Sequence, residues 1–247
     1  MLAKISLEAS VAIMEVYKSA DFGVEQKADD SPVTVADLKA DAIITQRLLE
    51  HFDYPILSEE ALVDYDTRKE WQRYWCVDPL DGTKSFVNRE DEFTVNIALI
   101  ENCQPVASVL TLPVTQDVYV AAKGEGCFKN GNTIFNHSTR SGSEVIAATS
   151  RVHKSSRTQA LIEKNGITHT VAHSSSLKFG LLAEGKIDLH PRLGSTSEWD
   201  IAAGQVICEE AGCELLQIPS AEPMLYNKED YLNPNFIACR KGLQFIF

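Results

Sequence analysis

Asp78-Pro79-Leu80-Asp81-Gly82-Thr83 sets two carboxylates and a backbone carbonyl close together, directly before a Gly-Thr step. Ser58-Glu59-Glu60 precedes this run, and Glu198-Trp199-Asp200 answers it far downstream. Carboxylates at tight spacing, with no His or Cys ligand beside them, suit hard oxygen-seeking cations such as Mg²⁺ rather than zinc. Mg²⁺ keeps several waters and takes substrate phosphates as further ligands. The chain therefore reads first as a phosphate-processing enzyme.

Glu59, Asp78, the Leu80 carbonyl, Asp81 and Asp200 are the candidate metal ligands. Taken singly, each acid is equally a helix cap, a turn former or a solvated charge. The set says more. Like carboxylates ~4 Å apart repel by ~4 kcal/mol per pair at an effective dielectric of 20, so gathering four without a cation is costly. Two Mg²⁺ ions ~3.5–4 Å apart can stabilise both ends of an in-line phosphoryl displacement. Gly82 permits close backbone approach, and the Gly82 and Thr83 amides are donors for a phosphate. Water must still be oriented. Asp37 and Thr83 are the candidates, with Asp37 accepting from the Thr83 hydroxyl and Thr83 accepting from water. The competing reading makes Asp37 a first-turn acid favoured by the helix dipole.

These side chains need a frame. Ile5, Ala9, Ala12, Ile13 and Val16 lie on one face of a helix over residues 2–18. A second helix begins near Thr34, with Pro32 and Thr34 as start signals, and runs through Asp37, Asp41, Ile44 and Leu48. Tyr54 to Leu57 reads as a buried strand leading to Glu59, and Tyr74 to Val77 as another ending at Asp78. Proline biases Val77-Asp78 away from helix, so the strand is expected to break into a loop there. Acids at strand C-termini are where open α/β-like sheets present chemistry.

Residues 93–128 hold three β-rich runs, Phe93–Ile100, Pro105–Leu112 and Val118–Ala122, which suggest an antiparallel meander. Asn130-Gly131 is a turn signal, and Gly124-Glu125-Gly126 lacks the third glycine of a dinucleotide loop and reads as a turn. The polar stretch 137–144 divides the chain into an α+β lobe, 1–137, and an α/β lobe, 138–247. In the second, strands at 145–149 and 187–190 alternate with helices near 156–164, 176–184 and 198–212. The acidic cluster is expected near the junction of the lobes.

Lys and Arg number 23 against 35 Asp and Glu, a net charge of −12. That excludes the basic surface expected of a nucleic-acid or anionic-membrane binder, and it requires local cations for any anionic substrate. Apolar content of 44% is ordinary for a soluble globular protein. The amphipathic N-terminus, carrying Glu8 and Glu15, reads as neither a signal peptide nor a membrane span, so a cytoplasmic protein is expected. Peripheral association with the inner membrane face stays open. Six scattered cysteines among apolar neighbours read as buried reduced thiols.

Asp78-Pro79-Leu80-Asp81-Gly82-Thr83 with a downstream Trp199-Asp200 resembles the hallmark of the Mg²⁺-dependent, lithium-sensitive phosphomonoesterase superfamily that includes inositol monophosphatase. The resemblance implies a layered α-β-α-β-α sugar-phosphatase sandwich and two or three Mg²⁺ ions, with inhibition by Li⁺. It implies metal ligation by Glu59, Asp78, Leu80, Asp81 and Asp200, and water activation by Asp37 and Thr83. Within the superfamily the chain looks most like the bacterial 3′(2′),5′-bisphosphate nucleotidases, through Ser31-Pro32-Val33-Thr34, Tyr74 to Asp78, Glu92 to Ile100, Ser174 to Phe179 and Tyr231-Leu232-Asn233-Pro234. Ser174 stands where that branch more often has Gly, and His190 where an aromatic usually precedes the proline.

The positions matching His153, Ser175, Lys178 and Arg192 hold the nucleotide in such enzymes, together with Glu59, Leu80, Asp81, Gly82, Thr83 and Asp200. Lys178 and Arg192 could neutralise a second phosphate, Arg bidentately; otherwise they are a solvated helix charge and a surface ion pair. The implied reaction is hydrolysis of adenosine 3′,5′-bisphosphate to AMP and phosphate, with 3′-phosphoadenylyl sulfate as a further substrate, by a monomer or homodimer. An inositol- or sugar-phosphate phosphatase is the nearest alternative, and a non-catalytic metal- or nucleotide-binding regulator the remote one.

Overall fold

The computed structural model describes residues 1–19, 22–26, 32–152 and 155–246. Helix α1 (Leu2–Tyr17) buries Ile5, Ala9, Ala12, Ile13 and Val16, the stripe that helical spacing selects. A short ribbon of β1 (Glu25–Gln26) and β2 (Pro32–Val33) leads into α2 (Val35–His51). Thr34 caps α2, its hydroxyl accepting the Ala36 amide at 3.1 Å.

One sheet has seven strands in spatial order β3 to β9: β3 (Ile56–Ser58), β4 (Arg73–Asp81), β5 (Thr94–Glu101), β6 (Gln104–Leu112), β7 (Asp117–Ala122), β8 (Gly126–Lys129) and β9 (Asn132–Ile134). Within this sheet β3 and β4 pair in parallel and the other neighbours pair antiparallel. The expected meander is β5 to β7, and the structure extends it by β8 and, across the Asn130-Gly131 turn, by β9. Two short helices, α3 (Tyr65–Arg68) and α4 (Thr83–Val87), flank β4 in sequence.

The second sheet has order β11-β10-β12-β14-β13 and comprises β10 (Ile146–Ser150), β11 (His169–His173), β12 (Leu189–Arg192), β13 (Cys213–Gln217) and β14 (Phe236–Arg240). Its helices are α5 (Ser156–Lys164), α6 (Leu177–Ala183) and α7 (Glu198–Glu210). Positions 137 and 138 fall between the last strand of the first sheet and the first of the second.

Alternation along the strands builds the layers. Trp75, Val77, Val95 and Ile97 pack on the α1/α2 side. Tyr74, Cys76, Ala98 and Ile100 face the other way, joining Phe179, Leu182, Ile201 and Ala202 of α6 and α7 and Phe236 and Ala238 of the second sheet in one buried cluster. On the far face of that sheet Ile162 of α5 covers Ala147, Leu189 and Ile237. The architecture is a five-layer α-β-α-β-α sandwich. Being enclosed between two sheets, α7 is buried almost all round. Gly204 permits its contact with α6, since a Cβ there would fall 2.2 Å from the Phe179 ring.

Two expectations need correction. The chain does not leave the sheet at Asp78; β4 continues to Asp81 with a shift of register. All six cysteines are free, but Cys103 is half-exposed. It occupies the two-residue β5–β6 turn with Asn102, where both residues have positive φ, and its neighbours Glu101, Asn102 and Gln104 are polar rather than apolar.

Candidate active site

Asp78 and Asp81 are three apart, so a regular strand would point them to opposite faces. In β4, Asp78 pairs with Asn96 and Asp81 with Thr94, three steps against two, which is a β-bulge with one extra residue. The bulge brings both acids to one cleft of about 720 Å³, also lined by Glu59, Leu80, Gly82, Thr83, Ser175 and Asp200. Glu59 is placed by its amide, which donates to Val77 O at 3.1 Å just beyond the β3–β4 pairing. Asp200 lies in the first turn of α7, where its Oδ2 accepts the Ser197 amide at 2.7 Å.

One oxygen each from Glu59, Asp78 and Asp200 lies within 4.8 Å of the others. Asp81 stands outside that triad on the same cleft. Its Oδ2 accepts the Ser176 amide at 2.6 Å and the Ser176 hydroxyl at 2.7 Å. Asp78 Oδ1 accepts the Leu80 amide at 3.1 Å, whereas Oδ2 is buried with no hydrogen-bond partner. A buried carboxylate oxygen without a donor is costly unless a cation meets it. Burial, and then the Glu59, Asp81, Asp200 and Asp37 charges, push the Asp78 carboxyl well above the ordinary range. Burial, with Asp81 and Glu59, does the same to Asp200. The all-oxygen donor set and the orphaned Asp78 oxygen fit a hard divalent cation.

Thr83 Oγ1 donates to Asp37 Oδ1 at 3.1 Å and lies 3.2 Å from Leu80 O. Asp37 Oδ2 meanwhile accepts the Thr34 amide and hydroxyl, so both readings of Asp37 hold at once: it is a capping acid and the partner of Thr83. Burial raises its pKa against the lowering effect of those bonds. Gly82 has φ +95°, and a Cβ there would lie 3.1 Å from Glu92 O and 3.2 Å from Ser175 Cβ. Only glycine lets the turn pass so close.

Lys178 and Arg192 line an adjoining cavity of about 170 Å³ with Asp81, Ser175 and Asp200. Lys178 is no solvated helix charge. It is 6% exposed, and its ammonium donates to the carbonyls of His173 and Ser175. Burial lowers its pKa to about 8 despite the nearby Asp81, Glu92 and Asp200 carboxylates. Arg192 Nη2 donates to Ser195 O at 2.9 Å, while its buried Nε has no partner. His153 and Ser31 lie outside the described residues.

Ser176 and Glu92 stand inside the runs that carry the resemblance, but sequence reasoning assigns them no role in the site. Ser176 also bridges to Asp200 O at 2.8 Å and accepts Asn96 Nδ2 at 3.0 Å, tying the bulge to α7. Its position as the residue before α6 was the available signal. Glu92 accepts the Ser174 amide at 2.7 Å and meets His173 Nδ1 and Arg151 at 2.9 Å. No local spacing marks it.

The inositol monophosphatase family model matches residues 2–244. The chain belongs to the inositol monophosphatase family. Among the family's members it is 40% identical, over 95% of its length and 96% of the relative's, to the 3′(2′),5′-bisphosphate nucleotidase CysQ of Salmonella typhimurium. The crystal structure of CysQ from Bacteroides thetaiotaomicron superposes with a TM-score of 0.87 at 38% identity, covering 97% of this chain and 96% of that one. The IMPase of Thermotoga maritima, 26% identical, gives 0.81 over 96% and 89%. No helix among the described residues is long and apolar enough to cross a membrane.

Proposed function

We propose that the protein is a Mg²⁺-dependent phosphomonoesterase that hydrolyses adenosine 3′,5′-bisphosphate to AMP and inorganic phosphate, and that 3′-phosphoadenylyl sulfate enters the same cleft to give adenylyl sulfate. The carrying observation is the convergence of Glu59, Asp78 and Asp200 around the orphaned Asp78 oxygen, beside the Thr83–Asp37 pair, in a chain 40% identical to a bisphosphate nucleotidase. Glu59, Asp78, the Leu80 carbonyl, Asp81 and Asp200 would hold the cations, and Li⁺ would compete for their sites. When bound, such ions acidify water and neutralise charge on the phosphoryl oxygens.

The chain's own groups do the rest. With its proton directed at Asp37, Thr83 Oγ1 is left as an acceptor that orients a water toward phosphorus. The water oxygen forms the new P–O bond, the bond to the ribose 3′ oxygen breaks, and a proton ends on that leaving oxygen. Lys178 and Arg192 neutralise the second phosphate. Ser175 and His153 complete the nucleotide contacts.

Phosphate release from adenosine 3′,5′-bisphosphate, inositol 1-phosphate and fructose 1,6-bisphosphate is the test. The nucleotide is expected to give the highest kcat/KM, and preference for either of the others overturns the choice of substrate. Turnover is expected to vanish in Asp81→Asn and persist in the exposed control Glu50→Gln. Equal activity in the two variants removes the acidic cluster from the mechanism.

A further inference from the structure

The cleft is far larger than a phosphate needs, and its mouth carries two exposed leucines. Leu62 and Leu232 are 60% and 50% exposed, and both line it. They come from distant parts of the chain, yet the loops that carry them are fastened together. Tyr231 Oη donates to Val63 O, so the residue before Leu232 is bonded to the residue after Leu62.

Arg68 locks that junction. It is fully buried; its Nε donates to Val63 O at 3.2 Å, Nη1 to Asn227 Oδ1 at 2.9 Å and Nη2 to Glu229 O at 3.1 Å. Its guanidinium also sits 4.4 Å over the Tyr231 ring. On the other side the Glu198 amide donates to Tyr231 O at 3.0 Å, Leu232 bridges to Ser197, and the Tyr231 and Trp199 rings lie 5.3 Å apart. A buried charge satisfied at every arm holds geometry, and here the geometry it holds is that of two leucines left in water beside the acidic cluster.

Apolar surface gathered at the edge of a polar cleft marks a ligand contact. Most of the other lining residues carry hydroxyl or carboxylate groups, Ser150, Ser174, Ser175 and Thr196 among them, and Pro32, Val152 and Trp199 add apolar surface. An inositol or sugar ring, polar around its whole edge, gains little from leucine. A neutral planar base gains from burying a face. We propose that Leu62 and Leu232 form an Arg68-braced apolar platform for the nucleobase of the substrate, and so help select a nucleotide over a polyol phosphate. The proposal rests on the nucleotidase reading above.

The experiment compares wild type with Leu62→Ser/Leu232→Ser on adenosine 3′,5′-bisphosphate and on an abasic analogue bearing the same two phosphates on 1-methoxyribose. For the nucleotide, KM is expected to rise roughly tenfold in the double variant with kcat unchanged, as for a contact made equally in ground and transition states. For the abasic analogue the two proteins are expected to agree. Both leucines are exposed, so the thermal midpoint should not move. An equal KM increase on both compounds, or none on either, overturns the platform while leaving the nucleotidase reading intact. Failure of wild type to turn over either bisphosphate overturns that reading and the platform with it.

Discussion

Thr83 Oγ1 donates to Asp37 Oδ1 while Asp37 Oδ2 takes the Thr34 amide at 2.8 Å, so one carboxylate joins the turn after the bulge to the start of α2. A carboxylate held at both oxygens cannot swing, and it fixes the direction of the Thr83 hydroxyl proton. Removing that hydroxyl in Thr83→Ala is expected to lower kcat by about 10²- to 10⁴-fold, the range of general acid–base contributions, with little change in KM. Asp37→Asn should lower kcat similarly, because an amide has one accepting oxygen where the carboxylate has two, so either the Thr83 bond or the Thr34 bonds are lost. Steady-state kinetics check both, and a KM increase at constant kcat in either variant contradicts the assignment.

The orphaned oxygen of Asp78 gives a prediction about stability without metal. Its carboxyl, raised by burial and four neighbouring acids, protonates more readily folded than unfolded. Folding therefore loses stability as pH rises from the unfolded value of ~3.9 toward the raised folded one, and metal-free protein carries that penalty. Asp78→Asn should melt above wild type in a chelator. Added Mg²⁺ should reverse the order, since a ligand that binds only the folded state stabilises by about 2.7 kcal/mol at a hundred times its Kd. Calorimetry with and without Mg²⁺ decides. A metal-free Asp78→Asn protein less stable than wild type would sink the idea.

Lys178 supplies a pH dependence of opposite sense for binding and folding. With its pKa lowered to about 8 it is cationic below that pH and neutral above it. KM for a bisphosphate is therefore expected to climb above pH 8, by up to about tenfold per pH unit, the limit for one lost proton. Folding should gain stability over the same rise, because the unfolded lysine, near its ordinary 10.5, binds its proton more tightly than the folded one. Lys178→Met should erase the upper limb of the KM profile. An unchanged profile in that variant assigns the limb to another group.

How far the site could be read in advance depends on the range of each interaction. The α1 stripe, the α2 cap and the meander follow from periods of 3.6 and 2 and from turn chemistry, which act within a few residues. The bulge in β4 was not legible. Pro79 lacks the amide that a ladder wants, which argued for a loop, but Asp81 still finds Thr94 across the sheet once one residue is set aside. Ser176, Glu92 and Arg68 were missed because their partners lie 95, 82 and 159 positions away. Spacing carries no trace of such pairs, and the topology alone brings them together.

Ser176 makes the last of these long-range bonds testable. Its amide and hydroxyl both reach Asp81 Oδ2, and the hydroxyl lies 2.8 Å from Asp200 O. With one proton to give, that hydroxyl serves one acceptor at a time while Asn96 Nδ2 donates to it. Ser176→Ala keeps the amide bond, so Asp81 stays near its place but loses the tie to the first turn of α7. Misplacing a ligand weakens metal binding by roughly 10- to 100-fold when a supporting residue is removed. The Mg²⁺ concentration for half-maximal activity should rise by that factor, with kcat at saturating Mg²⁺ largely recovered. An activity loss that excess Mg²⁺ does not restore would mean that Ser176 acts on the substrate rather than through Asp81.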